Sequence, residues 1–311
     1  MPKQAVLLLA HGTPETVEQI PEYLRNVTGG RPLPHEVIEE IQRRYTLIGH
    51  SPLTEITLAQ GRLVEAELAA SGQPVPVYVA MRNWHPYIAD VIRQMRADGV
   101  EVATVLCLAP QNSRTSVGLY RRAVEAEATG LRIDFTGSWA EHPLLIEAFA
   151  ERLRTAWTSL SAEAAAPVPV LFTAHSVPCR TVEASAGQTG DPYAEEARRT
   201  AALVAASLPE ISQWFFAFQS QGATGGPWLG PAVEETLESI AASGVRTLLL
   251  QPIGFLCDHV EILYDVDILF REYAAKLNLR LERPESLNIS VTLARAVADL
   301  ARHGLVRLNS L

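Results

Sequence analysis

An apolar run ending in Ala-His, with a proline three residues after the histidine, occurs twice in this chain. AVLLLAHGTP spans 5–14 and VPVLFTAHSVP spans 168–178. Both runs are continuously apolar rather than alternating, which is the pattern of strands buried on both faces. A strand of that kind needs helices above and below it. Ligands of open parallel sheets bind beyond the carboxyl ends of the strands, and that is where His11 and His175 fall. One histidine per copy therefore predicts a site framed by two related halves.

The duplication extends further along the chain. In the first half VPVYVAM (75–81) reads as a strand, HPYIADVIRQMRADGV (85–100) as an amphipathic helix and VATVLCLAP (102–110) as a second buried strand. The second half repeats the order with QWFFAF (213–218), GPAVEETLESIAASGV (230–245) and RTLLLQPIGF (246–255). Further helices are expected at 36–48, 143–160, 191–208 and 271–281. Strands alternating with helices imply parallel βαβ units. The expected fold is α/β, with two flavodoxin- or Rossmann-like halves over 1–160 and 168–311, joined by SAEAAAP at 161–167.

With 311 residues, 48% of them apolar, the chain can bury a large core. A net charge of -9 argues against a duplex nucleic-acid partner, which demands a basic face. The three cysteines, Cys107, Cys179 and Cys257, form neither a disulfide framework nor a four-cysteine iron–sulfur site. No stretch has the length of a membrane span and no secretory leader is recognisable, so a cytoplasmic location is expected.

The nucleotide fingerprints G-x-G-x-x-G and G-x-x-x-x-G-K-[ST] are absent. GHSPL (49–53) is not a hydrolase elbow, because Leu53 replaces the second glycine and the segment follows a helix. The densest polar cluster is PIGFLCDHVEILYDVD (252–267), directly after a buried strand. If it is helical, Asp258, Glu261 and Asp265 lie along one face; otherwise it is a capped, solvated acidic stretch. A strand-end histidine with a helix-start glutamate suits proton abstraction or metal binding, and His175 with Glu261 fits. His259 receives no role, and His35, His50, His85, His142 and His303 read as surface or loop residues. Arg43 and Arg44 are either paired with Glu39 and Glu40 on an exposed helix or part of a carboxylate clamp. Trp84, Tyr87, Tyr120 and Trp228 either line an apolar slot or fill core.

At AHGTP (10–14), RRYTLIGHSPLTEIT (43–57), LAPQNSRTSVGLYRR (108–122), TAHSVP (173–178), GDPYAEE (190–196), FQSQGATGGPWLGP (218–231) and PIGFLCDHVEILYDVDI (252–268) the chain resembles the ferrochelatase family. These enzymes insert ferrous iron into a porphyrin held in a cleft between two Rossmann-like halves. The resemblance implies that His175 and Glu261 are catalytic, accepting pyrrole protons and positioning iron, with Asp265 on a metal or proton path. Where relatives often carry another acid, this chain has Leu269. It implies that His11 faces the opposite side of the macrocycle, where it is a candidate ligand to product iron. Arg31, Arg44, Tyr45, Ser51 and Tyr120, with Trp228, are the implied porphyrin-binding groups. Several of these suit the four propionates of coproporphyrin III, the favoured substrate, ahead of protoporphyrin IX. The short segment between Tyr23 and Arg43, lacking a long apolar lip, and the stop at Leu311 without a cluster-bearing extension point the same way. Iron is then a substrate, with no cofactor and no iron–sulfur cluster. The expected partners are porphyrin, iron and haem, with an iron donor or downstream haem-synthesis protein meeting a monomer transiently. The alternatives are a cobalt or sirohydrochlorin chelatase and a non-catalytic porphyrin carrier.

Overall fold

The computed structural model describes residues 2–184, 190–221 and 226–310; Leu311 and residues 222–225 of the FQSQGATGGPWLGP motif lie outside them. The first half runs β1 (Gln4–Ala10), α1 (Ile20–Val27), α2 (His35–Ile48), α3 (Leu53–Ala70), β2 (Val77–Met81), α4 (Ile88–Ala97), β3 (Val102–Cys107), α5 (Val117–Glu127), β4 (Arg132–Phe135) and α6 (Pro143–Ala164). The second runs β5 (Val170–His175), α7 (Cys179–Val182), α8 (Tyr193–Ala206), β6 (Trp214–Gln219), α9 (Val233–Ala242) and β7 (Thr247–Pro252). A π-helix (Glu261–Phe270), α10 (Arg271–Lys276), β8 (Arg280–Glu282) and α11 (Val291–Asn309) complete it.

The strands form two parallel four-stranded sheets of the same order, β2-β1-β3-β4 and β6-β5-β7-β8. The repeated motif thus supplies the same inner strand of each sheet, and Ala5 through Leu9 have no exposed surface. Two segments differ from expectation. The helix expected over 271–281 stops at Lys276; Asn278 turns the chain with a φ of 55°, and Arg280–Glu282 pairs in parallel with β7. The expected linker 161–167 is helical as far as Ala164, where Ala165 ends α6 in the left-handed conformation.

Alternate residues of the inner strands face opposite layers. Leu7, Leu9 and Val105 pack under α4 and α5, and Leu171, Leu248 and Leu250 under α9 and the π-helix. On the other faces Val6, Leu8 and Leu106 share one apolar core with Phe149, Phe172 and Val297, so both sheets contribute to a single interior. Helix α11 crosses back from the second half onto β3 and β4. There Arg307 pairs with Asp134 at 2.7 Å and Asn309 accepts from Gln4 at 2.6 Å. No helix among the described residues is long and apolar enough to cross a membrane.

The α11 crossing is close. A Cβ built on Gly304 falls on Thr104 Oγ1 and within 2.8 Å of its Cβ. In an exposed helix, replacing glycine by alanine gains about 1 kcal/mol. Here overpacking reverses the sign, and Gly304→Ala lowers the urea midpoint by the equivalent of about 1–3 kcal/mol. An unchanged or higher midpoint contradicts the close packing.

Candidate active site

A cavity of about 390 Å³ is lined by residues at or just beyond the carboxyl ends of β1, β3, β5 and β7, and both duplicated histidines lie on its wall. Its size lies within the range of small-molecule sites.

On the second-half wall His175 ends β5 and Glu261 opens the π-helix. Nε2 of His175 stands 3.5 Å from Oε1 of Glu261. Nδ1 of His175 meets the Ser176 carbonyl, so that nitrogen carries hydrogen and Nε2 is left to exchange a proton. The Tyr193 hydroxyl, from the GDPY segment, donates to the His175 carbonyl at 2.8 Å. Gly254 leaves room for this arrangement: a Cβ there would lie 3.2 Å from that of Ala174. Burial alone would lower the His175 pKa, but the Glu261 carboxylate outweighs it and the pKa lies above that of a free imidazole. Burial would likewise raise Glu261; His175, helped by His259 and His11, draws it down to about 2.

Of the two readings of 252–267, the row of three carboxylates along one helix face does not form. Asp258 precedes the π-helix, and its carboxylate is held by Arg283 at 3.1 Å, Ser286 at 2.7 Å and Asn288 at 2.9 Å. That cluster anchors the turn outside the cavity. His259, given no role from sequence, lines the cavity and caps the π-helix, its Nδ1 accepting from Glu261 N at 3.1 Å and Ile262 N at 3.4 Å. Asp265 is buried behind Glu261, where the Ser220 hydroxyl donates to it and Arg44 stands 3.6 Å away. Burial first, then the Glu261 charge, pushes its pKa up to about 6 against the opposing pull of Ser220 and Arg44. Among the described residues no three His, Cys, Asp or Glu side chains group closely enough to hold a metal ion. His175 and Glu261 provide two donors.

The first-half wall holds His11, Thr13, Tyr45, Ser51, Arg82 and Tyr120. Gly12 lets the chain turn past His11: its φ is +82°, and a Cβ would lie 2.8 Å from that of Met81. Burial, with Arg82 beside it, lowers the His11 pKa to about 4, so this imidazole is neutral near pH 7. Tyr45 bonds Thr13 at 2.9 Å, and burial raises its phenol to about 12. Ser51 is 5% exposed, and its hydroxyl has no hydrogen-bond partner. The Arg82 guanidinium lies 5.5 Å from the Tyr120 ring centre, and its Nε is buried without a partner. Sequence reading missed Arg82, although it directly follows β2 and the strand-end rule reaches it.

Tyr120 and Trp228 line the cavity, whereas Trp84 packs in the core beside Tyr23. Arg31 and Arg44 are not on the cavity wall. Arg31 is exposed and donates to the Thr28 carbonyl at 3.1 Å. Arg44 donates to Glu40 at 2.9 Å and stacks 4.9 Å from the Tyr264 ring centre, and Arg43 donates to the Tyr264 hydroxyl at 2.6 Å. The helix pairing foreseen for these arginines is present, through Glu40 alone. His142 differs from expectation in capping α6 at 12% side-chain exposure, 3.3 Å from Asp299.

The ferrochelatase family model matches residues 3–305. A ferrochelatase of Acidobacterium capsulatum is 57% identical over 99% of this chain and 96% of its own. A coproporphyrin III ferrochelatase of Mycolicibacterium vanbaalenii is 36% identical over 96% of this chain and 89% of its own. Among solved structures, SirB from Bacillus subtilis with Fe3+ superposes with a TM-score of 0.57 at 12% identity, covering 99% of this chain and 98% of that one. At that identity the likeness shows the fold: two parallel sheets in the chelatase arrangement.

The His175–Glu261 pair carries a pH signature. Its mutual stabilisation needs an ionised Glu261 and a protonated His175. It is lost on the acid side as pH falls through about 2, and on the alkaline side as pH rises through the raised His175 pKa. In Glu261→Gln burial acts on His175 unopposed by its nearest carboxylate, and the imidazole pKa falls. An NMR titration of the His175 ring reads the change; an unmoved midpoint contradicts the coupling.

Proposed function

Since this chain belongs to the ferrochelatase family and is a metal-insertion enzyme, we propose that it inserts Fe2+ into coproporphyrin III, with His175 taking the pyrrole protons. The observation that carries the mechanism is the 3.5 Å approach of His175 Nε2 to Glu261 on the cavity wall. Replacing two pyrrole hydrogens by Fe2+ releases two protons. Once its resting proton has passed to solvent, His175 accepts one at Nε2, and the adjoining carboxylate favours the imidazolium that results. Return of that proton to solvent readies the ring for the second. Protons and metal then exchange on one face of the macrocycle, where Glu261 and His175 also guide the incoming ion. His11, neutral and on the other wall, is the candidate ligand to product iron.

The preference for coproporphyrin rests on the polar character of the first-half wall. A ring with four propionates has carboxylates for the unpartnered Ser51 hydroxyl, for Arg82 and for the phenols of Tyr45 and Tyr120. Protoporphyrin, with two vinyl groups in place of two propionates, leaves some of these donors buried without a partner, which costs affinity. Arg31 and Arg44 contribute only by turning from their present partners toward a propionate. The name of the mycobacterial relative supports the same substrate.

Anaerobic insertion assays test both parts. Coproporphyrin III is expected to exceed protoporphyrin IX in kcat/KM by about tenfold or more, the discrimination of one unpaired buried donor. His175→Ala is expected to lose roughly 10²–10⁴-fold in kcat, the usual contribution of a positioned base, while metal-free porphyrin still quenches the protein's fluorescence. Equal use of both porphyrins removes the substrate assignment, and near-normal turnover in His175→Ala removes the base.

A further inference from the structure

Two residues beyond β2, Asn83 is buried to 1% exposure directly behind His11. Its backbone N–H donates to the His11 carbonyl at 2.9 Å, continuing the ladder past the end of the strand. Its own carbonyl accepts from the Asn26 amide at 3.2 Å, and the same amide reaches the Tyr87 hydroxyl at 3.0 Å. The side chain is therefore presented from a backbone fixed on both sides. Its amide nitrogen lies 3.1 Å from Nδ1 and 3.0 Å from Nε2 of His11, a position out of the ring plane from which it reaches either nitrogen. Tyr23 meets the same imidazole edge-on, with ring centres 6.0 Å apart.

We infer that Asn83 is the positioning residue that fits His11 to ligate the iron of the product. A neutral imidazole has one lone pair and one N–H, while a carboxamide has a donor end and an acceptor end that exchange by a half-turn. With the lone pair free, the Asn83 NH2 donates to it. When iron takes that lone pair, the remaining N–H needs an acceptor, and the carboxamide oxygen supplies one after the half-turn. Asn83 thus serves both states of the ring without a change of charge. A partner of this kind fixes the ring's orientation and raises its basicity toward a metal. The duplicated half solves the same problem differently: His175 has a carboxylate at its Nε2 and a backbone carbonyl at its Nδ1. The inference rests on the cavity being the porphyrin site.

The test titrates ferric coproporphyrin III and metal-free coproporphyrin III into the wild type, Asn83→Leu, Asn83→Asp and His11→Ala. In Asn83→Leu the ratio of iron-porphyrin to metal-free affinity is expected to fall about 10- to 100-fold, the usual cost of losing a ligand's outer partner. Its ferric spectrum moves toward that of His11→Ala. Asn83→Asp, an acceptor only, is expected to raise the ratio and lower the reduction potential of the bound iron, and it carries the test where Asn83→Leu does not fold. Wild-type ratios and spectra in both Asn83 variants, alongside an altered His11→Ala, overturn the role of Asn83. A wild-type spectrum in His11→Ala overturns ligation by His11 and this inference with it. Failure of the wild type to bind metal-free porphyrin instead overturns the reading of the cavity.

Discussion

Strands β1 and β5 are covered on both faces, and most of what is functional in this protein follows from that constraint. A strand buried on both sides carries polar side chains along its length only where they are partnered, as Thr173 is by Gln219 at 2.6 Å, and its backbone groups are consumed by the ladders on either edge. Polar chemistry is confined to the point where the ladder stops. At Ala10–His11 and at His175 the next backbone groups turn outward, and the donors of Arg82, Asn83 and Ser176 finish the last bonds. The same shielding forces the two sheets to share an interior, which sets the ends of β1 and β5 on one cavity. The site is thus a by-product of burying both copies of the repeat.

The two copies have diverged in charge more than in shape. His175 sits in an ion pair with Glu261, whereas His11 sits between a neutral amide and a guanidinium. Neither Glu261 nor Arg82 lies within its own sheet's inner strand. Each comes from a segment that follows the neighbouring β7 or β2. The two walls thus differ in electrostatics while residues 5–9 and 170–174 of the inner strands have no exposed surface.

What was legible in the sequence was what local pattern encodes. Continuous apolar runs marked the inner strands, and residue type at a strand's end and at a helix start marked the pair His175 and Glu261. Strands β4 and β8 are short and lie at the sheet edges, so RIDF and RLE carry too few residues for a pattern to register. Asp258 shares the spacing of Glu261 and Asp265 but stands before the π-helix and is claimed by Arg283, a contact from the chain beyond β8. Arg44 shows the same limit: its residue type suits a propionate, yet Glu40, Tyr264 and Asp265 hold it away from the cavity wall. Arg82, Asn83 and His259 escaped because each lies in an irregular segment with no period to read, and only the fold reveals what stands opposite.

The return of α11 to the first sheet has a consequence for how the chain is made. Synthesis is vectorial and domains tend to fold as they emerge. The face of β3 and β4 that Gly304 and Arg307 cover is completed by a helix that follows both sheets in the chain. Until that helix leaves the ribosome, the nascent first half carries an uncovered apolar strip, with Leu106 among the side chains awaiting Val297. Such a strip is a target for holdase chaperones and a hazard for aggregation, and long-range closure of this kind slows folding. The contact by which α11 joins the finished halves becomes available only after both sheets have been synthesised.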